Sequence, residues 1–152
     1  MSTNETTAEI LLVEDNEGDI RLIKEAFKEG KLVNSLHVAR DGIEALEFLY
    51  KQGQYRDAPR PDLILLDLNL PRKDGREVLE EIKDQPHLRA VPVVVLTTSK
   101  AEEDICRSYN LHANCYITKP VDFDKFLNVV NAVESFWFRL VRLPPQSCSC
   151  ES

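Results

Sequence analysis

The chain has 152 residues, 43% of them hydrophobic and 30% charged, which is long enough for one buried core but too short for two ordinary domains. The formal net charge of −7 argues against binding to nucleic acid or to anionic membranes, because such proteins concentrate Lys and Arg on one face. The polar start lacks a signal-peptide pattern and no apolar run is long enough to span a membrane, so we expect a cytoplasmic protein.

Five short apolar runs follow one another along the chain, and each has the length of a strand that is buried on both faces. They are Ile10–Val13, Leu36–Ala39, Leu63–Leu66, Val93–Leu96 and Cys115–Ile117. The stretches between them have helical spacing, and several begin with a pair of residues typical of a helix N-terminus. The pairs are Asp41 with Glu44, Asp74 with Glu77, and Ser99 with Glu102. This alternation predicts an α/β fold, a doubly wound parallel sheet of five strands with helices on both faces.

Few segments lie outside this repeat. We expect residues 1–8 to be a disordered N-terminal segment, residues 9–143 to form the domain, and residues 144–152 to be a flexible tail. The polar loop Gln52–Pro61 is longer than most connections from a helix to a strand. It is either a contact surface or a tolerated insertion, and we favour the insertion.

Polar side chains follow the predicted strands at their carboxyl ends. They are Glu14, Asp15, Asp67, Thr97 and Lys119. The carboxyl ends of parallel strands share one edge of the sheet, where ligands bind in such folds, so we expect these groups to converge. Three carboxylates in one pocket repel one another unless a cation neutralises them. Oxygen ligands with room for water suit Mg²⁺ better than a transition metal, and a zinc site on the four cysteines would need Cys-x-x-Cys spacing.

Asp67 is the best placed nucleophile among these groups, because it stands where the third strand ends. A carboxylate that attacks a phosphoryl group builds negative charge on the phosphoryl oxygens, which a metal, the Lys119 ammonium group and the Thr97 hydroxyl can stabilise. The carbonyl of Asn69 is expected to turn toward the metal. The alternative is that the acidic residues only cap helices, but five suitable groups at one edge favour phosphoryl chemistry.

Longer motifs around these residues resemble the receiver domains of two-component signalling. They are Leu12–Asp15, Leu65–Pro71, Asp74–Gly75, Leu96–Ser99 and Tyr116–Pro120. The similarity runs from residue 9 to about residue 133. It implies a flavodoxin-like fold with strand order 2-1-3-4-5. It also implies a single-domain response regulator that accepts a phosphoryl group from a sensor histidine kinase.

The resemblance implies a role for each residue of the site. Asp67 becomes the phosphorylated residue, a 4-aspartylphosphate, in a Mg²⁺-dependent phosphorelay. The Mg²⁺ ligands are then Glu14, Asp15, Asp67 and the Asn69 carbonyl, and the groups that hold the phosphoryl group are Thr97 and Lys119. A switch is implied in which Thr97 moves toward the phosphate and Tyr116 rotates inward. Such a protein is not an enzyme beyond its own phosphoryl transfer and a slow autodephosphorylation.

A narrower set of motifs resembles the single-domain response regulators that partner cyanobacterial and bacterial phytochromes. They are the loop from Tyr50 to Pro61, Leu70–Glu77, Ala113–Tyr116 and Glu134–Trp137. This resemblance implies that the kinase partner is a light-sensing, phytochrome-type histidine kinase. The bilin chemistry then belongs to the partner.

Two other functions use parts of the same pattern. Phosphatases with an aspartate nucleophile are similar to one another in an Asp-x-Asp motif, in which the second Asp is a general acid. In this chain Asn69 stands at the second position, and an amide cannot supply a proton. A flavodoxin-like electron carrier shares the expected sheet, but Glu14 and Asp15 would repel the phosphate of a flavin nucleotide.

The last helix is expected from Asp122 to about Leu140, with one apolar stripe that covers the sheet. A second apolar stripe beside it contains Val129, Ala132, Phe136, Leu140 and Leu143. Two stripes are more than a core-facing helix needs, so something else must cover the second one. The alternatives are a folded-back tail and a second copy of the chain, and we favour a homodimer through Val129, Phe136 and Leu140.

Overall fold

The computed structural model describes residues 7–30, 33–70, 72–98, 115–119 and 121–142. The strands are β1 (Ala8–Val13), β2 (Asn34–Ala39), β3 (Leu63–Asp67), β4 (Val93–Thr97) and β5 (Cys115–Thr118). The helices are α1 (Glu17–Glu29), α2 (Gly42–Leu49), α3 (Gly75–Asp84) and α4 (Phe123–Arg142). All five predicted strands are confirmed, and each is one or two residues longer than its apolar run.

The strands form one parallel sheet in the order β2-β1-β3-β4-β5. The predicted doubly wound fold with strand order 2-1-3-4-5 is therefore confirmed. The register aligns the strand ends, since Asp67 pairs with Leu96 and Thr97 pairs with Thr118. The residues that end or follow β1, β3, β4 and β5 therefore emerge at one side of the sheet, which we call the carboxyl edge.

Successive strand residues point to opposite faces of the sheet, and two apolar layers result. The layer under α2 and α3 contains the buried residues Leu11, Ile64, Leu66, Val93, Val95, Phe48, Val78 and Ile82. The layer under α1 and α4 contains the buried residues Ile10, Leu12, Leu65, Leu96, Ile23, Phe27, Phe126 and Val130. Burial of one such side chain contributes about 1.5–3 kcal/mol, so the two layers hold the sheet between its helices.

Two expectations from the sequence need correction. β2 was expected to be buried on both faces, but it lies at the edge of the sheet and only its last residue, Ala39, is buried. The domain was expected to begin at residue 9, but Ala8 is already part of β1, where it is buried and its N–H donates to the Val33 carbonyl at 2.9 Å. The expected tail, residues 144–152, lies outside the described residues.

Aspartate side chains cap three helices, and two of these caps, Asp41 and Asp74, are those that the sequence predicts. Asp41, Asp74 and Asp122 precede α2, α3 and α4, and each accepts a hydrogen bond from a backbone N–H two or three residues later. Asp74 also forms a complete capping box with Glu77. The predicted pair that begins at Ser99 lies outside the described residues.

The long loop after α2 is anchored to that helix. It contains a short 3-10 helix, Gly53–Tyr55, and the Tyr55 hydroxyl donates a hydrogen bond to the Glu44 carboxylate. The Tyr55 ring also packs edge-on against Phe48, with the ring centroids 5.4 Å apart. Specific contacts thus hold the loop against α2. Its composition alone indicates a tolerated insertion and does not predict these contacts.

Helix α4 packs on the sheet through one side. Phe126 and Val130 are buried in the layer under α1 and α4, and Val129 is half-buried against the same layer. The side chains of Phe136 and Leu140 lie outside those described, so the predicted dimer contact remains a prediction. Among the described helices, α4 included, none combines the length and the apolar character that crossing a membrane requires.

Candidate functional site

The carboxyl edge brings together residues from four strands. Glu14 follows β1, Asp67 ends β3, Thr97 ends β4 and Lys119 follows β5. Lys119 Nζ lies 3.1 Å from Glu14 Oε2 and 3.2 Å from Asp67 Oδ2. The Lys119 backbone N–H donates to the Thr97 carbonyl at 2.7 Å. These four residues converge at one edge of the sheet, as the sequence predicts.

The charged groups of this edge are unusually buried. Glu14 is 0% exposed and Asp67 and Thr97 are each 1% exposed, although carboxylates rarely lie inside a protein without a partner. Burial first, and the neighbouring charge of Asp67 second, raise the pKa of Glu14 to about 7, against the hydrogen bond from Lys119. Burial alone lowers the pKa of Lys119, but the Asp67 and Glu14 carboxylates together raise it above its ordinary value.

Three carboxylates at this edge form a group that suits a divalent cation. Oxygen atoms of Glu14, Asp15 and Asp67 all lie within 4.8 Å of one another, and Asp15 is exposed while the other two are buried. All the donors are hard oxygen atoms, and the neighbouring charge of Asp67 adds to burial in raising the pKa of Glu14. The residues therefore fit a divalent ion that neutralises part of this charge.

Backbone groups hold the two buried carboxylates in place. The Asn69 N–H donates to Asp67 Oδ1 at 3.0 Å, and the Asn16 N–H donates to Glu14 Oε2 at 3.1 Å. Gly75, the first residue of α3, packs on the turn that carries Asp67, because a Cβ atom there would lie 2.3 Å from the Asp67 carbonyl oxygen. The absence of a side chain at residue 75 therefore lets α3 begin directly behind the end of β3.

The predicted site also includes Asn69 and Tyr116. Asn69 is exposed, and its side-chain amide donates to Thr98 Oγ1 at 3.2 Å, which links the turns after β3 and β4. Tyr116 lies on β5, half-buried against the layer under α2 and α3. The Asn69 carbonyl as a metal ligand and the movement of Thr97 and Tyr116 remain predictions.

One residue of the site was missed from the sequence. Asp19 Oδ2 lies 3.1 Å from Lys119 Nζ, so a third carboxylate contacts the lysine. Asp19 stands in the first turn of α1, where acidic residues are common because they favour the positive end of the helix dipole. The available signal was its position one helical turn after Asp15, which is too common a pattern to indicate a site.

The chain is similar to known proteins over most of its length. Residues 10–131 match the family described as response regulator receiver domain. Response regulator Rcp1 from Synechocystis sp. is 53% identical over 135 residues, which are 89% of this chain and 92% of that protein.

Two solved structures agree with this match. The Mn²⁺-bound form of response regulator Rcp1 has a TM-score of 0.76 and 52% identity, and the match covers 90% of this chain and 99% of that one. The phosphorylated cyanobacterial phytochrome response regulator RcpA has a TM-score of 0.77 and 53% identity, and the match covers 88% of this chain and 95% of that one. The protein therefore belongs to the response regulators with a receiver domain, and it is similar to Rcp1 and to the phytochrome regulator RcpA.

Proposed function

We propose that this chain accepts a phosphoryl group on Asp67 from a sensor histidine kinase, in a transfer that depends on a divalent cation. The observation that carries the proposal is the environment of Asp67. Its carboxylate is buried at the end of β3, 3.2 Å from the Lys119 ammonium group and in one group with the Glu14 and Asp15 carboxylates. A nucleophile, a cationic group and a set of cation ligands thus lie within one small site.

The proposed step moves the phosphoryl group from nitrogen to oxygen. A carboxylate oxygen of Asp67 forms a bond to phosphorus while the bond from phosphorus to the kinase histidine nitrogen breaks. The imidazole leaves with the bonding electron pair and takes up a proton. Negative charge grows on the phosphoryl oxygens during the step, and the Lys119 ammonium and Thr97 hydroxyl groups stabilise it.

Mg²⁺ is the proposed cation. Glu14, Asp15 and Asp67 would hold it, with the Asn69 carbonyl as a further oxygen ligand. When bound, Mg²⁺ would offset negative charge on the carboxylates and on the phosphoryl oxygens. Mg²⁺ and Mn²⁺ both prefer oxygen ligands, so the similarity to the Mn²⁺-bound form of Rcp1 supports a divalent ion here.

The acyl phosphate should hydrolyse slowly. A phosphatase that works through an aspartyl phosphate is expected to carry an Asp-x-Asp motif. In this chain the exposed Asn69 stands in place of the second Asp. An amide cannot act as a general acid or base. We therefore propose a signalling protein whose only catalysis is its own phosphorylation and a slow autodephosphorylation.

Asp67→Asn tests the assignment of the nucleophile. The purified chain is incubated with acetyl phosphate and Mg²⁺, and its intact mass is measured. The wild type should gain one phosphoryl group, and Asp67→Asn should gain none. Asp62→Asn is the matched control, because Asp62 directly precedes β3 at the opposite edge and accepts a hydrogen bond from the Glu9 N–H at 2.8 Å. Labelling of Asp67→Asn at the wild-type level, or steady turnover of a chromogenic phosphomonoester, would refute the proposal.

The proposed kinase partner is of the phytochrome type, and the proposed compartment is the cytoplasm. Similarity to RcpA, a phytochrome response regulator, supports this kinase class. The test measures the rate of phosphoryl transfer to this chain from each of a set of autophosphorylated histidine kinases. The set includes phytochrome-type members. Transfer should be fastest from a phytochrome-type kinase. Faster transfer from kinases of other classes would contradict the pairing.

A homodimer through α4 is the proposed assembly. Val129 is only half-buried and Ala132 is exposed on the side where Phe136 and Leu140 follow at helical spacing. An apolar stripe beside the one that packs on the sheet is a natural contact for a second copy. Phe136→Asp should sediment as a folded monomer under conditions where the wild type is a dimer. A wild type that sediments as a monomer at tens of micromolar, phosphorylated or not, would exclude the dimer.

A further inference from the structure

Lys119 is held by a carboxylate that does not belong to the cation site. Asp19 Oδ2 lies 3.1 Å from Lys119 Nζ, and the side chains of the pair are 17% and 13% exposed. Within the described residues, the carboxylates whose oxygen atoms lie within 4.8 Å of one another are those of Glu14, Asp15 and Asp67. Asp19 is outside that group. Its contact with the site is through the lysine.

The other two carboxylates that contact Lys119 have competing tasks. Glu14 and Asp67 bind the ammonium group and also belong to the proposed cation site. A bound divalent cation offsets their charge, so their attraction for the Lys119 ammonium group decreases. The charge of Asp19 is not offset in this way. Its attraction for the ammonium group is therefore the one that persists when the site is loaded.

Asp19 is presented by a rigid element. Its backbone N–H donates to the Asn16 side chain at 2.9 Å, which caps α1, and the next turn buries Ile20 and Ile23 against the sheet. Side chains on well-packed helices hold their partners more firmly than those on loops. Asp19 therefore approaches Lys119 from a well-packed helix and not from a loop.

We propose that Asp19 is a positioning residue, which keeps the Lys119 ammonium group beside Asp67 while Glu14 and Asp67 are engaged by the cation. Lys119 is then in place when the phosphoryl group arrives. The inference rests on the proposed function, in which Asp67 is the phosphoryl acceptor. It assigns Asp19 no contact with the phosphoryl group itself.

The kinetic test compares variants with acetyl phosphate as the donor at saturating Mg²⁺. We expect Asp19→Asn to lower the rate constant of phosphorylation about tenfold, an increase of about 1.4 kcal/mol in the barrier. Asp19→Glu should restore most of the rate because it retains the charge. The matched control is Glu17→Gln, which removes the same charge from the same helical turn, where Glu17 pairs with Arg40. Glu17→Gln should keep the wild-type rate.

A second readout follows Lys119 without any phosphorylation. The ¹⁵N signal of the Lys119 ammonium group in Mg²⁺-loaded protein should be sharp in the wild type and in Glu17→Gln, and broadened by solvent exchange in Asp19→Asn. Near-ultraviolet circular dichroism checks the fold, and Asp19→Ser replaces Asp19→Asn if that variant does not fold. If the wild type accepts no phosphoryl group on Asp67, the proposed function fails, and this signal still tests the inference.

The inference is overturned by any of three results. The first is a wild-type rate in Asp19→Asn. The second is a loss of rate in Glu17→Gln as large as in Asp19→Asn, which would indicate a general effect of charge on the helix. The third is a slower Asp19→Asn with an unchanged Lys119 signal, which would mean that Asp19 acts by another route.

Discussion

Strand β3 is buried along its whole length, but its middle and its carboxyl end differ in chemistry. Leu65 and Leu66 are fully buried in the apolar layers on the two faces of the sheet. Asp67, the next residue, is equally buried and stands beside the buried Glu14 and the Lys119 ammonium group. Burial of a leucine contributes about 1.5–3 kcal/mol, whereas burial of an ionised carboxylate is unfavourable and pairing offsets it only in part.

Burial alone therefore does not distinguish the core from the site. The middle of β3 stabilises the fold, while its end gathers charges that a stable core would exclude. Sites of this kind are commonly less stable than substitution could make them, because their groups are arranged for chemistry. Substitutions at the two places should therefore change stability in opposite directions.

The largest expected change is in the middle of the strand. Leu65→Ala should lower the free energy of unfolding by about 2–5 kcal/mol, because it leaves a cavity in a fully buried layer. The control is Leu22→Ala on α1, a half-buried leucine packed against the same layer, which should lose less than half as much. Urea unfolding measures the free energy of unfolding of both variants, and the m-value should stay unchanged. Equal losses would contradict the description of Leu65 as a central core residue.

A smaller change of opposite sign is expected at the end of the strand. In EDTA, Asp67→Asn should raise the free energy of unfolding by about 0.5–2 kcal/mol, because it removes one buried negative charge while Lys119 keeps Glu14 and Asp19. Mg²⁺ should reduce or reverse the gain, since a ligand at ten times its Kd stabilises the wild type by about 1.4 kcal/mol. A less stable Asp67→Asn in EDTA would show that the carboxylate stabilises the fold.

The smallest expected change is at a half-buried polar contact, away from both regions. Burial first, and the hydrogen bond to Glu44 second, raise the pKa of Tyr55 to about 12. Because this pKa is above that of unfolded tyrosine, about 10, the stabilisation by the neutral phenol is complete below pH 10 and is lost as the pH rises through about 12. Tyr55→Phe should lower the free energy of unfolding by less than about 1 kcal/mol at pH 7.

Two measurements check this contact. Urea unfolding gives the loss in stability at pH 7. The difference in phenolate absorbance between the wild type and Tyr55→Phe gives the pKa of Tyr55 in the folded protein. A phenolate that appears near pH 10, as in free tyrosine, would mean that the hydrogen bond to Glu44 does not persist in solution.

The fold was predictable because each strand carries its own signal. An apolar run such as Leu63–Leu66 can only be a buried strand or a short buried helix, and its length and its neighbours decide between them. The exposure of β2 was not predictable from its own residues, since the run Leu36–Ala39 has the composition of a central strand, and only the sheet order, which the family resemblance implied, makes it an edge. Exposure along a strand thus depends on neighbours that the local sequence does not contain.

The same limit applies to the site. Glu14 and Asp67 were predictable because each follows an apolar run at the edge where ligands bind. Asp19 was not, because its role depends on Lys119, which is 100 positions away in the sequence. The close approach of α1 and α4 was also hidden. A Cβ atom at Gly30 would lie 2.0 Å from Glu134 Oε2, and no local pattern marks that glycine as a contact.

The most direct test of the central claim is to locate the phosphoryl group. The wild type is incubated with acetyl phosphate and Mg²⁺, and sodium borohydride then reduces the aspartyl phosphate to homoserine, which peptide mass spectrometry places in the sequence. We expect homoserine at residue 67 and a loss of the product in excess EDTA, because the carboxylates of Glu14, Asp15 and Asp67 then repel the incoming donor. Homoserine at another residue, or an undiminished yield in EDTA, would contradict the claim.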